Sequence, residues 1–175
     1  MLLKFENLKI RNATVNDAPL LAMWWNDGTV MAHAGFPNGT GETVEKISES
    51  LKHDTDEDRR LIIELDEIPI GEMSYGVVGE RTVGIGIKIC DFSKHDKGYG
   101  KVLLSMLISS LFNDMGYNKI ILDTNMKNKR AQHVYEELGF KKVRVKMNSW
   151  KNQVGELQSS IDYELIQEDF VNFAK

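Results

Sequence analysis

A short run near the middle of the chain has the composition of a phosphate-binding loop. Residues 95–101 read His-Asp-Lys-Gly-Tyr-Gly-Lys, after a strand-like stretch and before an apolar stretch with helical spacing. Two glycines one residue apart leave little side-chain bulk and expose backbone N–H groups, which can hold phosphate at the positive end of the following helix. The competing interpretation is a tight turn that needs glycine for a positive φ.

Two familiar nucleotide-binding motifs do not fit this run. Val102 stands where a P-loop needs Ser or Thr, and Leu103 stands where the dinucleotide fingerprint needs its third glycine. Lys97 and Lys101 add positive charge near any phosphate bound here. The run therefore predicts phosphate binding by a loop of another kind.

A second group of chemically capable residues lies further along the chain. It consists of Asn128-x-x-Ala131, then Tyr135, then Gly139-Phe140. In isolation Asn128 is a good helix N-cap, and a tyrosine on an apolar helix face is more often packed than catalytic. The group gains significance from its position after the glycine run.

Together the two groups resemble the motifs of the Gcn5-related N-acetyltransferase (GNAT) superfamily. Its pyrophosphate loop reads Gln/Arg-x-x-Gly-x-Gly/Ala, and a later block reads Asn-x-x-Ala, Tyr, Gly-Phe. This chain supplies His95-x-x-Gly98-x-Gly100 and the whole later block, and the order of elements matches from about residue 8 to residue 166. Trp24-Trp25-Asn-Asp is similar to the branch that acetylates protein N-termini, aminoglycosides and polyamines.

The resemblance implies acetyl-CoA as co-substrate. It assigns the backbone near Cys90 to the pantetheine, the N–H groups of 97–101 to the pyrophosphate, and Asn128 to either region. The residues implied to bind the cofactor are Ile87, Ile89, Cys90, His95, Lys97, Gly98, Tyr99, Gly100, Lys101 and Asn128.

The resemblance also implies direct attack of an amine on the thioester. Tyr135 would then protonate the departing thiolate, whose pKa is roughly 8.5 by analogy with cysteine. A backbone N–H near the end of the strand predicted at 82–90 would stabilise the oxyanion. No covalent acyl-enzyme is required, so Cys90 is interpreted as a small buried or cofactor-lining residue.

Two positions depart from the family pattern. His95 replaces the usual Gln or Arg, and because histidine changes charge near neutrality we expect mildly pH-sensitive cofactor affinity. Gly84 stands where many relatives place a Glu that deprotonates the amine. Glu72 on the neighbouring strand or a water relay remains to do this, and apolar neighbours would make the Glu72 carboxylate a stronger base. A solvent-facing Glu72 is the alternative.

The acceptor site is predicted near three tryptophans. Trp24 and Trp25 are adjacent on a helix and project about 100° apart, so we expect one in the core and the other beside the acceptor. Trp150 and the glycine-rich residues 28–41, predicted as a loop, would complete the site.

The elements that must position these residues follow from periodicity. Residues 82–90 alternate Val, Ile, Ile and Ile with smaller or polar residues, as a strand with one buried face does. The strands are predicted at 8–12, 60–65, 68–78, 82–90, 119–124, 140–147 and 160–166, and the helices at 17–26, 42–52, 98–115 and 128–138. Short turns predict an antiparallel meander, and strand-helix-strand around 98–115 predicts a parallel pair. The fold class is α/β, a mostly antiparallel mixed sheet with a central parallel pair and helices on both faces.

Composition limits the alternatives. The 175 residues suit one domain over 1–175, and the net charge of −4 argues against a nucleic-acid partner. No apolar run is long enough to span a membrane and a single cysteine fits a reducing compartment, so we expect a cytoplasmic protein. The four histidines lack metal-ligand spacing, so we expect no metal. Terminal strands could pair in a homodimer. The predicted function is N-acetyl transfer to a small-molecule or peptide amine; the alternative is a catalytically weak acyl-CoA-binding sensor.

Overall fold

An eight-stranded sheet in the order β1-β2-β3-β4-β5-β6-β8-β7 runs through the computed structural model, which describes residues 1–175. The strands are β1 Leu2–Phe5, β2 Leu8–Asn12, β3 Asp58–Leu65, β4 Ile68–Gly79, β5 Thr82–Ile89, β6 Lys119–Asn125, β7 Lys141–Lys151 and β8 Leu157–Ile166. Neighbouring strands are antiparallel except β5 and β6, which are parallel. The predicted mixed sheet with a central parallel pair is confirmed.

Helices cover both faces of this sheet. They are α1 Ala18–Trp25, α2 Gly28–Met31, α3 Val44–Leu51, α4 Tyr99–Asn113 and α5 Lys129–Glu137. Alternation along β3 separates two cores: Leu61 and Ile63 pack with α4 and α5, whereas Ile62 packs with α1 and α3. No helix combines the length and the apolar character needed to cross a membrane.

The structure differs from the predicted elements mainly where periodicity is weak. Residues 28–41 contain the short helix α2 and a 3₁₀ turn at Ala32–Ala34 rather than loop alone, and Asp27 caps α2 by accepting from Thr29 N–H at 2.8 Å. β1 was not predicted, because its four residues Leu2–Phe5 are too few to show a period. The last two strands form a longer hairpin than expected.

The parallel pair is the feature that creates a site. β5 and β6 are paired at only three positions, Thr82 with Lys119, Val83 with Ile120 and Gly84 with Ile121. Beyond Gly84, β5 continues along β4 and β6 continues along β8. The two strands therefore diverge and leave a wedge-shaped opening in the middle of the sheet.

Candidate active site

A cleft of about 870 Å³ occupies this opening. One wall is the second half of β5, and the other is the end of β6 with the start of α5. The 95–101 run lies at the α4 end, and residues of the 28–41 segment line the cleft on the α1/α3 face of the sheet. Two predicted motifs that are far apart in sequence thus share one cavity.

The glycine run carries unpaired backbone donors. None of the N–H groups from Asp96 to Lys101 has an acceptor within the chain, and the first backbone bond of α4 runs from Val102 N–H to Gly98 at 3.4 Å. The open N–H groups of the first helical turn and the helix dipole both favour an anion at this position.

The two glycines of the run differ in backbone conformation and in the space around them. Gly98 has a φ of +81°, which a residue with a Cβ adopts only with strain. Gly100 needs no such conformation, and a Cβ there would meet only the Ile89 Cδ1 at 3.8 Å. The turn therefore explains Gly98 but not Gly100, where the absent side chain leaves open space beside the cleft.

The free edge of β5 offers backbone groups to the cleft. Cys90 N–H donates to the Ile70 carbonyl of β4 at 2.8 Å. Because backbone groups alternate in direction along a strand, those of Ile87 and Ile89 face the opening instead. Cys90 itself packs into the α1/α3 core, and burial raises the pKa of its thiol to about 12. That environment suits a packed thiol and not a nucleophile.

Two side chains of the run are directed differently from the expectation. His95 Nε2 bonds the Ile89 carbonyl at 2.7 Å, and its ring lies 4.6 Å from the Phe92 ring. The Lys101 ammonium lies 3.2 Å from Glu137 and 4.5 Å from the centre of the Phe173 ring. In this structure His95 covers the end of β5, and the Lys101 charge is balanced within the chain.

Tyr135 and Asn128 lie on the α5 side of the cleft. Asn128 is the N-cap of α5, with its Oδ1 accepting from Ala131 N–H at 3.3 Å. Tyr135 is 6% exposed and packs edge-on against Phe140 and Tyr163, yet its hydroxyl has no partner in the chain. Burial, followed by the nearby Asp123 carboxylate, raises the pKa of Tyr135, so the phenol keeps its proton throughout the neutral range.

Glu72 does not have the apolar surroundings expected for it. Its Oε1 accepts from Trp25 Nε1 at 2.9 Å and lies 3.5 Å from the Lys88 ammonium. Lys88 lines the cleft, but Glu72 does not. The paired carboxylate is held behind the cleft wall by a cation and an indole.

The three tryptophans occupy different environments. Trp24 is 6% exposed in the α1/α3 core, which removes it from the expected acceptor contacts, and Trp25 reaches the cleft wall only through Glu72. Trp150 lines the cleft, with its ring against Gly35, where a Cβ would come within 2.5 Å of the indole. The expectation of one core and one outward tryptophan describes the pair on α1.

The hairpin that carries Trp150 also holds the 28–41 segment in place. Gln153 accepts from Asn38 N–H at 3.0 Å and donates to the Gly39 carbonyl at 2.9 Å. Its own N–H donates to the Gly35 carbonyl at 2.8 Å. These three hydrogen bonds hold the 28–41 segment against the turn between β7 and β8.

The cleft residues absent from the prediction include three polar ones at the β5, β6 and 28–41 walls: His33, Lys88 and Asp123. Burial, followed by Arg130 and Lys127, lowers the pKa of His33. Of these three residues, only Asp123 could have been found from the sequence. It is an acid that directly follows the apolar residues 120–122, in the strand predicted after the parallel crossover.

A family model for the acetyltransferase (GNAT) domain matches residues 7–141. The chain therefore belongs to the GNAT acetyltransferase family and is by class an acetyl-CoA-dependent N-acetyltransferase.

Solved structures of other acetyltransferases share this fold. The spermidine N-acetyltransferase of Vibrio cholerae, in complex with CoA and spermine, matches with a TM-score of 0.81 at 21% identity, over 95% of this chain and 99% of that one. A GNAT-family acetyltransferase from Bacillus anthracis matches at 0.79 and 19% identity, over 96% and 99% of the two chains. One from Streptococcus pneumoniae matches at 0.76 and 18%, over 91% and 99%.

Proposed function

We propose that this protein transfers the acetyl group of acetyl-CoA to a primary amine by direct attack in a ternary complex. The observation that carries the proposal is the single cleft that joins the unpaired N–H groups of 96–101 to the Tyr135 hydroxyl. The first suits a pyrophosphate, and the second suits a leaving thiolate. Family membership supplies the co-substrate, and the cleft supplies a route between the two.

The residues present fit coenzyme A. The N–H groups of 97–101 would hold its pyrophosphate, and the open space beside Gly100 admits close approach. The backbone groups of Ile87 and the Ile89 N–H would bond the pantetheine amides as an added strand would, whereas the Ile89 carbonyl is already bonded to His95 Nε2. Asn128 and Tyr99, which line the same cleft, would flank it.

Tyr135 would act on the departing sulfur. Because its pKa is raised, the phenol is fully protonated at neutral pH and can donate a hydrogen bond to a developing thiolate. The bond is worth most in the transition state, when charge accumulates on sulfur.

The acceptor would be a small-molecule or peptide amine that enters the part of the cleft lined by Trp150 and the 28–41 segment. The Vibrio cholerae neighbour was solved with spermine, which supports an amine acceptor of that general kind. The free, buried thiol of Cys90 is compatible with a reducing cytoplasm.

The test is thiol release from acetyl-CoA against a panel of polyamines, aminoglycosides and peptides with free N-termini. Turnover with at least one amine, absent when the amine is omitted, is the expected result. Tyr135→Phe should lower kcat by roughly 10²-fold or more and leave the coenzyme A affinity within a factor of a few. Tight coenzyme A binding with no turnover on any amine would refute the proposal.

That last outcome would favour an acyl-CoA sensor with the same fold. One observation favours this second candidate: Gly84 has no side chain, and the Glu72 carboxylate is paired with Lys88. The family's usual strand base is therefore missing, and a transferase needs a base from elsewhere.

A further inference from the structure

One carboxylate in the cleft has no basic partner. Three acidic side chains line the cavity, and two of them are paired, Asp96 with Arg130 at 3.6 Å and Glu137 with Lys101 at 3.2 Å. Asp123, the third, is exposed and has no Lys, Arg or His nitrogen within 4.0 Å. Its negative charge is available to a ligand.

The position of Asp123 on β6 directs it toward the 28–41 segment. Alternation puts it on the same face as Ile121 and Asn125. Ile121 lies beside Gly84 at the last paired position, and the Asn125 amide reaches the His33 carbonyl at 3.4 Å. Asp123 is between them, directly beyond the point where β5 and β6 separate.

Asp123 and Tyr135 approach the opening from opposite faces of the sheet. Tyr135 belongs to the α4/α5 core, whereas Asp123 lies on the α1/α3 face. Both line the cleft, and the carboxylate is close enough to contribute to the raised pKa of the phenol. A reacting centre between them would have an acid on one side and a carboxylate on the other.

No other titratable group near Asp123 offers an unbalanced negative charge to a cation. Asp162 lies opposite on β8, but Arg144 at 2.9 Å and Lys146 at 3.0 Å from β7 balance its charge. Their contacts outweigh burial and lower the pKa of Asp162. From β5 and the 28–41 segment the titratable groups are Lys88, which is paired with Glu72, and His33.

We propose that Asp123 binds the ammonium group of the acceptor and removes the proton that prevents attack. The inference rests on the proposed function and names its missing base. The ammonium gives one proton to Asp123, and the neutral nitrogen forms a bond to the thioester carbonyl carbon. The carbon–sulfur bond breaks, the second proton lost by nitrogen ends on the thiol, and Asp123 releases its proton to solvent. The products are the acetamide, the free thiol and one proton.

The test compares Asp123→Asn with Asp162→Asn, using the best acceptor of the amine panel and the full chain. Asp162 is the matched control because it is the cross-strand neighbour of Asp123 with its charge already balanced. Near neutral pH, Asp123→Asn should lower kcat/KM for the amine by roughly 10²- to 10⁴-fold. The Kd for coenzyme A should change less than about twofold, and the control variant should stay within about threefold of wild type.

The pH profile separates a base from a structural residue. Without Asp123, only amine already neutral in solution can react, so the deficit should shrink about tenfold per pH unit as pH approaches the pKa of the amine. Asp123→Ser should show the same profile. Wild-type turnover with a near-normal Asp123→Asn, or a deficit that is constant with pH, would overturn this inference alone. Absence of wild-type turnover on every amine would refute the proposed function as well.

Discussion

Replacement of Gln153 by alanine should loosen the 28–41 segment without unfolding the protein. The change removes two hydrogen bonds, at 3.0 Å to Asn38 N–H and at 2.9 Å to the Gly39 carbonyl. The backbone bond from residue 153 to the Gly35 carbonyl remains. Both lost bonds are neutral and partly exposed, so about 0.5–1 kcal/mol each is appropriate, or about 1–2 kcal/mol together.

Hydrogen exchange measures this loss directly. The N–H groups of Phe36, Gly39 and Thr40 are bonded within the segment or to α1, and their exchange requires it to open. A loss of about 1–2 kcal/mol should accelerate that exchange roughly 5- to 30-fold. Because the segment lines the cleft away from the glycine run, KM for the amine should rise while coenzyme A affinity is unchanged.

Val154→Ala is the control, since this exposed side chain lies in the same hairpin. It should leave exchange in 28–41 at the wild-type rate. If Gln153→Ala also leaves it unchanged, the side-chain contacts do not hold the segment and the reasoning is wrong.

Further outcomes concern the glycine run and a buried carboxylate on β3. Gly98→Ala should lower the free energy of unfolding by about 1–2 kcal/mol because of its φ of +81°, whereas Gly100→Ala should keep the thermal midpoint and lose coenzyme A affinity, as calorimetry would detect. Burial would raise the pKa of Glu64, but the Lys9 and Arg11 contacts outweigh it and lower the pKa, so the contribution of Glu64 is present above about pH 4.5 and is lost as pH falls through the folded value. Glu64→Gln should cost about 1–3 kcal/mol in denaturant unfolding at pH 7 and progressively less as pH falls through that value.

The sheet was predictable because its patterns are local. Alternation of Val83 and Ile85 with glycines identifies β5, and the short turn before it leaves antiparallel pairing with β4 as the only option. The crossover through α4 then requires β6 to be parallel to β5. The extent of that pairing was not predictable, because where two parallel strands separate depends on packing and not on periodicity.

The cofactor side of the site was more predictable than the acceptor side. The glycine run and Tyr135 belong to motifs that can be recognised in a single sequence from their residue types and spacing. The partners of Glu72 come from α1 and β5, and no local pattern in the sequence predicts that Trp25 and Lys88 both contact the Glu72 carboxylate. The expectation of apolar neighbours around Glu72 therefore failed on contacts made across the fold, and the cleft beside Asp123 exists only because β5 and β6 diverge.

The brief pairing of β5 with β6 has a consequence for how the molecule holds together. Within the sheet, two stretches of antiparallel ladder, β1 to β5 and β6 to β7, are joined by only three residue pairs, while α4 and the core beneath it pack against both. Each stretch is a potential cooperative unit of unfolding, and the seam between them is where sub-global opening would begin. A ligand that lies in the wedge contacts both stretches, so its binding would also stabilise the protein against opening between them.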